Sequence, residues 1–460
     1  MTPRRENNGF SVPLAAEAPT RPLPERIADS PVSWVVAAIV LSVVLLAASN
    51  VLAADNPTSA ASATPAAAAS VTTSVANVAS GEPAPAAWPP GLIMDGLGAV
   101  GVRKPLDELG IRTYGFFETG FTGNLNGEKS GFGRVFDSRR MGDWRFNQLA
   151  LNIDRPYDNT KAFDWGFHVE GMFGGDAMFT HAYGLFDHAG VSHTDAWADL
   201  TQFYAQLWFK TGTDAGLETQ VGKFVTPMGA EVIDAPGNQL YSHSYLFGYA
   251  IPYTNTGVKE TYYFNKQFSA YVGAVQGWDE FQPRNDAWSE IAGLALAGAE
   301  QLDNHPRDQF NFNLITGPEE QGDSHDNRTV LDFVLTHYWT SPLSSTLNAD
   351  WGEEQGGSPT GGSNHWYGLA HYLTYVINDY VSATWRTEWF RDEGGSRIGV
   401  RGNFAENTLG LTITPCPSDK VWKNLSVRPE IRWDNSDQRV FDHGTRENGA
   451  TAAVDIIFKF

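Results

Sequence analysis

Cysteine, positive charge and long apolar runs are all scarce in this chain. Its 460 residues include one cysteine, and only 32 lysines and arginines stand against 53 aspartates and glutamates. The lone Cys416, set between Pro415 and Pro417, excludes an intrachain disulfide and any multi-cysteine metal site. No basic or histidine neighbour in sequence marks it as an activated thiol. So acidic a chain offers no basic stretch for nucleic acid, which is not expected as a partner. Recognisable catalytic signatures are missing too: there is no G-x-S-x-G elbow, no H-E-x-x-H and no P-loop. Neither an enzyme nor a cofactor or metal site is expected.

What the chain has in quantity is aromatic residues, 13% of the total with 15 tryptophans, and 46 glycines, while charged residues make up 18%. That balance suits a wall exposing rings to lipid on one side and polar groups on the other. The mean hydropathy of -0.30 agrees, because such a wall averages two opposite faces.

The one long apolar run, Trp34 to Ala53, ends in Val51-Leu52-Ala53, a small-residue pattern suited to cleavage. Residues 1–53 therefore read as a signal peptide, with an uncleaved inner-membrane helix as the rival. Residues 54–90 are Ala, Pro, Ser and Thr with almost no charge, which cannot bury a core and reads as a disordered linker. Residues 91–110 carry spaced apolar positions (Leu97, Val100, Leu106, Leu109) and form either a short helix or a plain lead-in strand.

Beyond Ile111 the period changes to two. Val381, Ala383, Trp385 and Trp389 fall on one face and Ser382, Thr384, Arg386 and Glu388 on the other. Leu425, Val427, Ile431 and Trp433 oppose Ser426, Arg428, Glu430, Arg432 and Asp434, and Leu149, Leu151 and Ile153 oppose Gln148, Asn152 and Asp154. Trp165, Phe167 and Val169 oppose Asp164, His168 and Glu170. In Trp366 to Val376 aromatics fall on both faces.

About sixteen such segments are countable, an even number as bacterial barrels require. They begin near Arg112, Phe146, Phe163, Asp199, Leu217, Thr256, Phe268, Glu290, Gln309, Thr329, Ser344, His365, Asp379, Asn403, Lys423 and Ala450. Connections alternate. Those from Leu125 to Arg145, Gly174 to Ala198 and Val225 to Asn255 are long, whereas Asn265-Lys266, Ser341-Pro342 and Asn378-Asp379 are tight. Short periplasmic turns and long outer loops give this rhythm, and a soluble sandwich has no reason for it. The last segment sets Ala452, Val454, Ile456, Phe458 and Phe460 against Asp455 and Lys459, as a strand closing a barrel would. The expected fold is all-β: a transmembrane antiparallel up-and-down β-barrel over residues 111–460.

Several stretches together resemble the OmpL-like β-barrel porin family. They are Gly222-Lys223-Phe224-Val225-Thr226-Pro227-Met228-Gly229-Ala230-Glu231, Tyr241-Ser242-His243-Ser244-Tyr245-Leu246-Phe247, Thr256-Gly257-Val258-Lys259-Glu260-Thr261-Tyr262 and Gln276-Gly277-Trp278-Asp279. Gly317-Pro318-Glu319, Leu331-Asp332, Asp350-Trp351-Gly352 and Arg386 to Asp392 follow in the family's order. The resemblance spans nearly all of Gly110 to Phe460 and departs from the family between Asp286 and Arg307, which leaves the eighth strand least secure. It implies a pore in a bacterial outer membrane. The partners expected of such a barrel are outer-membrane lipid, small polar solutes or ions and the barrel-assembly machinery, whose C-terminal signal the Phe460 ending resembles, with the sequence leaving open whether a homotrimer forms.

On this reading the pore-lining candidates are Asp154, His168, Glu170, Arg386, Glu388, Arg428, Glu430, Arg432, Asp434, Asp455 and Lys459. The lipid-facing candidates are Trp165, Phe167, Trp385, Trp389, Trp433, Phe458 and Phe460. His168 with Glu170 has metal-ligand spacing but no third ligand. Tyr241-Ser242-His243-Ser244 juxtaposes serine and histidine, whose side chains diverge if the segment is extended. Beyond Pro90 the chain holds 28 basic and 47 acidic residues, a net charge of -19 that favours cations in a low-dielectric channel. An open diffusion porin leads, and a barrel serving as an adhesin or envelope anchor, with a blocked lumen, is the alternative.

Overall fold

The computed structural model describes residues 91–126, 132–136, 141–190, 195–303, 305–357 and 362–460. The expected signal peptide and linker, residues 1–53 and 54–90, lie outside the described residues.

Period-two alternation produces strands wherever it occurs. They are β1 (Arg112–Asn124), β2 (Trp144–Arg155), β3 (Phe163–Gly174), β4 (Trp197–Lys210), β5 (Gly216–Val225), β6 (Thr254–Asn265), β7 (Phe268–Val275) and β8 (Ser289–Ala297). The ring continues with β11 (Asp308–Pro318), β12 (Asn327–Thr340), β13 (Leu343–Glu354), β14 (Asn364–Asn378) and β15 (Val381–Asp392). It ends with β16 (Gly402–Ile413), β17 (Leu425–Ser436) and β18 (Asn448–Lys459). Between β8 and β11 the chain folds a small ribbon, β9 (Gln301–Leu302) and β10 (His305–Pro306). Each of the sixteen ring strands pairs antiparallel with its neighbours in sequence, and β18 returns to β1 to close the barrel. Every sequence-derived start lies within two residues of the observed one, including the eighth.

Closure removes the sheet edges that would otherwise leave unpaired backbone groups in lipid. The seam runs from Phe116↔Lys459 to Asn124↔Thr451. Residues 91–110 form two short helices, α1 (Leu92–Ala99) and α2 (Arg103–Leu109). Pro105 sits in the first turn of α2, where no intrahelical donor is lost. Gly110, at φ 70°, ends that helix in the left-handed conformation and turns the chain into β1.

The core lies inside the ring, toward the long-loop end. The connection between β5 and β6, residues 226–253, folds inward rather than outward, through a 3-10 turn (Ala235–Gly237) and a π-turn (Leu246–Ala250). Its Met228, Ile233, Tyr245, Leu246, Phe247 and Ile251 pack on inward Ile291, Ile315, Val330, Trp366, Phe390 and Phe404 of the wall. The aromatics on the inner face of β14 thus have an apolar partner inside the barrel.

Candidate pore and its inserted segment

A segment crossing the lumen must find partners for its own buried amide and carbonyl groups. The polar inner face supplies them. On β17, the Arg428 guanidinium is bidentate to Asp455 of β18 and also donates to the carbonyls of Ala235 and Asn238 at 2.9 and 2.6 Å. Glu430 accepts the amides of Tyr241 and Ser242 at 2.9 and 3.1 Å. Arg432 pairs with Asp434 and donates to the His243 carbonyl at 2.6 Å, while the Tyr245 hydroxyl donates to Asp434 at 2.8 Å.

β15 repeats the pattern. Arg386 reaches Glu406 of β16 at 2.6 Å, Glu231 of the segment at 2.7 Å and the Ser242 carbonyl at 2.6 Å. Glu388 accepts the amides of Tyr245 and Leu246, each at 2.7 Å, where the π-turn begins. These groups are the expected inward charges of β15 and β17. They hold the inserted segment, whose backbone needs both donors and acceptors where the wall covers it.

Strands on either side of β15–β17 complete the grip. Gln148 of β2 accepts the Ala235 amide and donates to the Ile233 carbonyl, both at 3.0 Å. Asn147 donates to the Tyr241 hydroxyl at 2.8 Å, and Asn348 of β13 accepts the Ala230 amide at 3.1 Å. The segment leaves the lumen at Tyr253 and Thr254, whose amides both donate to Asp279 at 2.8 Å. Burial pushes the Asp279 carboxyl up to about 6, against those two amides, which lower it. Nearby, burial raises Glu319 to about 7, opposed by the Arg328 charge and by hydrogen bonds from Ser289 and Trp278. A cavity between Phe136, Asn147, Asp176 and Phe179 has room for one water, about 10 Å³.

The remaining inward candidates take local partners. Asp154 is bidentate to Arg112 at 2.9 and 2.7 Å. His168 hydrogen-bonds Asn152 at 2.8 Å and stacks on Tyr204, while Glu170 accepts from Gln202 at 2.8 Å, so the two do not converge. Lys459 faces inward at the short-turn end of the seam. In the stretch around His243, Ser242 accepts from Arg386 and Ser244 caps the π-turn through the Phe247 amide. His243 itself bonds Glu231 at 2.9 Å, so its partner is a carboxylate and neither serine.

On the outer face Trp165, Trp385, Trp389 and Trp433 are all more than 40% exposed. Phe167 lies half-buried against Trp165, and Phe458 packs between Phe117 and Trp422. Phe460 departs from the expected lipid-facing set. It is 6% exposed, because its ring fills the space over Gly115, where a Cβ would meet it at 2.8 Å.

The sequence reading missed Glu231, Gln148, Asn348 and Asp279, and with them the inserted segment. A signal was present: residues 226–253 carry Ile233, Leu240, Tyr245, Leu246, Phe247, Tyr249 and Ile251, too apolar for a solvated loop.

Comparison with curated proteins gives no match. Among solved structures the chain is similar to the outer membrane channel DcaP of Acinetobacter baumannii, at 11% identity and TM-score 0.49, over 76% of this chain and 97% of that one. It is similar to an anion-selective porin from Comamonas acidovorans, also at 11% and 0.49, over 76% and 99%. A third is Pseudomonas putida OprB at high pH, at 11% and 0.48, over 79% and 97%. The family model described as "Putative beta-barrel porin-2, OmpL-like" matches residues 110–460, and the chain belongs to that family of barrel porins.

Proposed function

We propose that this barrel lets small polar solutes or ions diffuse passively across the outer membrane, beside a segment that narrows the lumen, and that it prefers cations. The observation that carries the reading is a closed sixteen-strand ring with a polar inner face and an exposed apolar outer one, in a chain of a porin family. Cation preference rests on the acidic excess beyond Pro90. Purified protein in a planar bilayer is expected to give stepwise current, and a silent bilayer overturns the pore. A zero-current potential in a KCl gradient reads the preference, and anion selectivity overturns that part alone.

Export follows from the same reading. Cleavage after Ala53 would free a protein starting at Ala54, with residues 54–90 as a periplasmic tether. N-terminal sequencing of the protein from outer membranes tests it.

One observation favours a second reading. The wall holds residues 226–253 by hydrogen bonds from β2, β13, β15 and β17, as expected of a barrel that anchors or adheres without conducting. The same bilayer recording separates the two, since the anchor predicts no current in protein that is demonstrably folded.

A further inference from the structure

The inner-face arginines are tied to carboxylates, and one lysine stands outside that scheme. Arg112, Arg328, Arg386, Arg428 and Arg432 each hold an aspartate or glutamate. Lys259 of β6 does not. Among the described residues its ammonium meets no carboxylate and no carbonyl, and it lies over the rings of Phe224 and Tyr271, 5.4 and 5.7 Å from their centroids. Glu218 of β5, on the same stretch of wall, is engaged elsewhere. It accepts the hydroxyls of Tyr157 and Tyr263 at 3.0 and 2.8 Å and the Gln206 amide at 2.8 Å.

The lysine stands where the lumen keeps accessible surface. Strands β3, β4 and β6 present half-buried His168, Gln202, Tyr204, Gln206 and Lys259 inward, whereas the arginines of β15 and β17 are buried against the inserted segment. Phe224 and Tyr271 belong to the apolar cluster that packs on that segment, so the ammonium marks the border between the filled and the accessible part of the ring. Gln220 faces Lys259 in the β5–β6 register, and on the other flank Gly273 of β7 brings no side chain to cover it. Gln220 is 5% exposed, yet its carboxamide hydrogen-bonds no described residue.

An ammonium against two rings is partly stripped of water, and a carboxamide left unbonded beside it is a second unmet polar group. One anionic group answers both, taking the lysine's charge and the amide's N–H. A single ammonium matches a single negative charge, and the net charge of -19 beyond Pro90 disfavours a dianion. Resting on the pore reading above, we propose that Lys259, with Gln220, is a binding point for the carboxylate of a small organic acid passing beside the inserted segment. The acidic excess sets the preference among free ions, and this site retains one class of anion against it.

The test is current through the purified full chain in a planar bilayer in KCl, titrated with potassium gluconate, a small monocarboxylate. Sorbitol, of similar size and uncharged, is the control. Gluconate is expected to reduce the current in a saturable way, and sorbitol to leave it nearly unchanged. Lys259→Met is expected to raise the half-blocking concentration about tenfold or more, the loss of one hydrogen bond to a charged group, while Lys259→Arg keeps the block. Heat-modifiable mobility shows that each variant is folded, and Lys259→Gln takes the place of Lys259→Met should that variant not fold. A conducting parent that gluconate does not block, equal block by sorbitol, tighter block by inorganic phosphate, or block unchanged in the neutral variant each overturn the proposal. A failed pore reading shows differently, as silence of the folded parent and of every variant before any gluconate is added, and it removes this site with it.

Discussion

At the scale of single residues, the inner wall shows why buried charge is kept in a barrel. Arg386 is fully buried and serves Glu406, Glu231 and the Ser242 carbonyl together. Replacing it by methionine leaves two carboxylates without their counter-charge, a loss of about 3–5 kcal/mol. Thermal unfolding in detergent is expected to show a large fall for Arg386→Met and a smaller one, about 1–3 kcal/mol, for Glu388→Ala, which orphans two amides. Glu319 makes a pH-dependent prediction. Its folded pKa of about 7 lies above the ordinary 4.5, so the folded protein binds that proton more tightly. Stability from this group is therefore complete below about pH 4.5 and is lost as pH rises through 7, on the order of 3 kcal/mol in all. Asp279, raised to about 6, adds a loss of the same sign. Glu319→Gln is expected to flatten the fall in melting temperature between pH 5 and 8 without abolishing it. A slope identical to the parent's would contradict the assignment.

At the scale of elements, what was legible in sequence follows from where the information lies. A strand's two faces are written locally, in alternate residues, so all sixteen ring strands and their turns could be placed from the chain alone. The inserted segment could not, because the groups that fix it, Gln148, Asn348, Glu388 and Glu430, are brought to residues 226–253 only by closure of the ring. The same holds for the apolar inner positions Ile315 and Phe404, which look misplaced in a polar lumen until the segment is there to cover them. Residues 286–307 were obscure for a different reason: after β8 the chain adds a small ribbon that breaks the barrel's rhythm. If the segment narrows the lumen, shortening it should widen the path. Replacing residues 232–250 by a short Gly-Ser linker is expected to raise single-channel conductance several-fold while heat-modifiable mobility persists. Unchanged conductance in folded protein would place the limiting passage elsewhere.

At the scale of the whole molecule, stability depends on the one pairing that joins the beginning of the ring to its end. Fifteen of the sixteen strand pairings connect neighbours in sequence, and only β1 with β18 spans the barrel's full contour. Such a contact pays its loop entropy last and is the step on which closure waits. Phe460 sits at that seam. Its amide and carbonyl exchange hydrogen bonds with Gly115 at 2.8 Å, and its ring covers the glycine where no side chain could fit. Phe460→Ala keeps the backbone pairing but opens a void at the seam, a loss of about 3–5 kcal/mol for a buried phenylalanine. Gly115→Val acts from the other side, since its side chain would meet the Ala150 carbonyl as well as the ring. Both variants are therefore expected to refold into detergent with a reduced yield of the compact, heat-modifiable form. Replacing Trp385, an exposed outer residue far from the seam, by leucine should leave that yield unchanged. Equal yields for all three would mean that the ring closes without help from this contact.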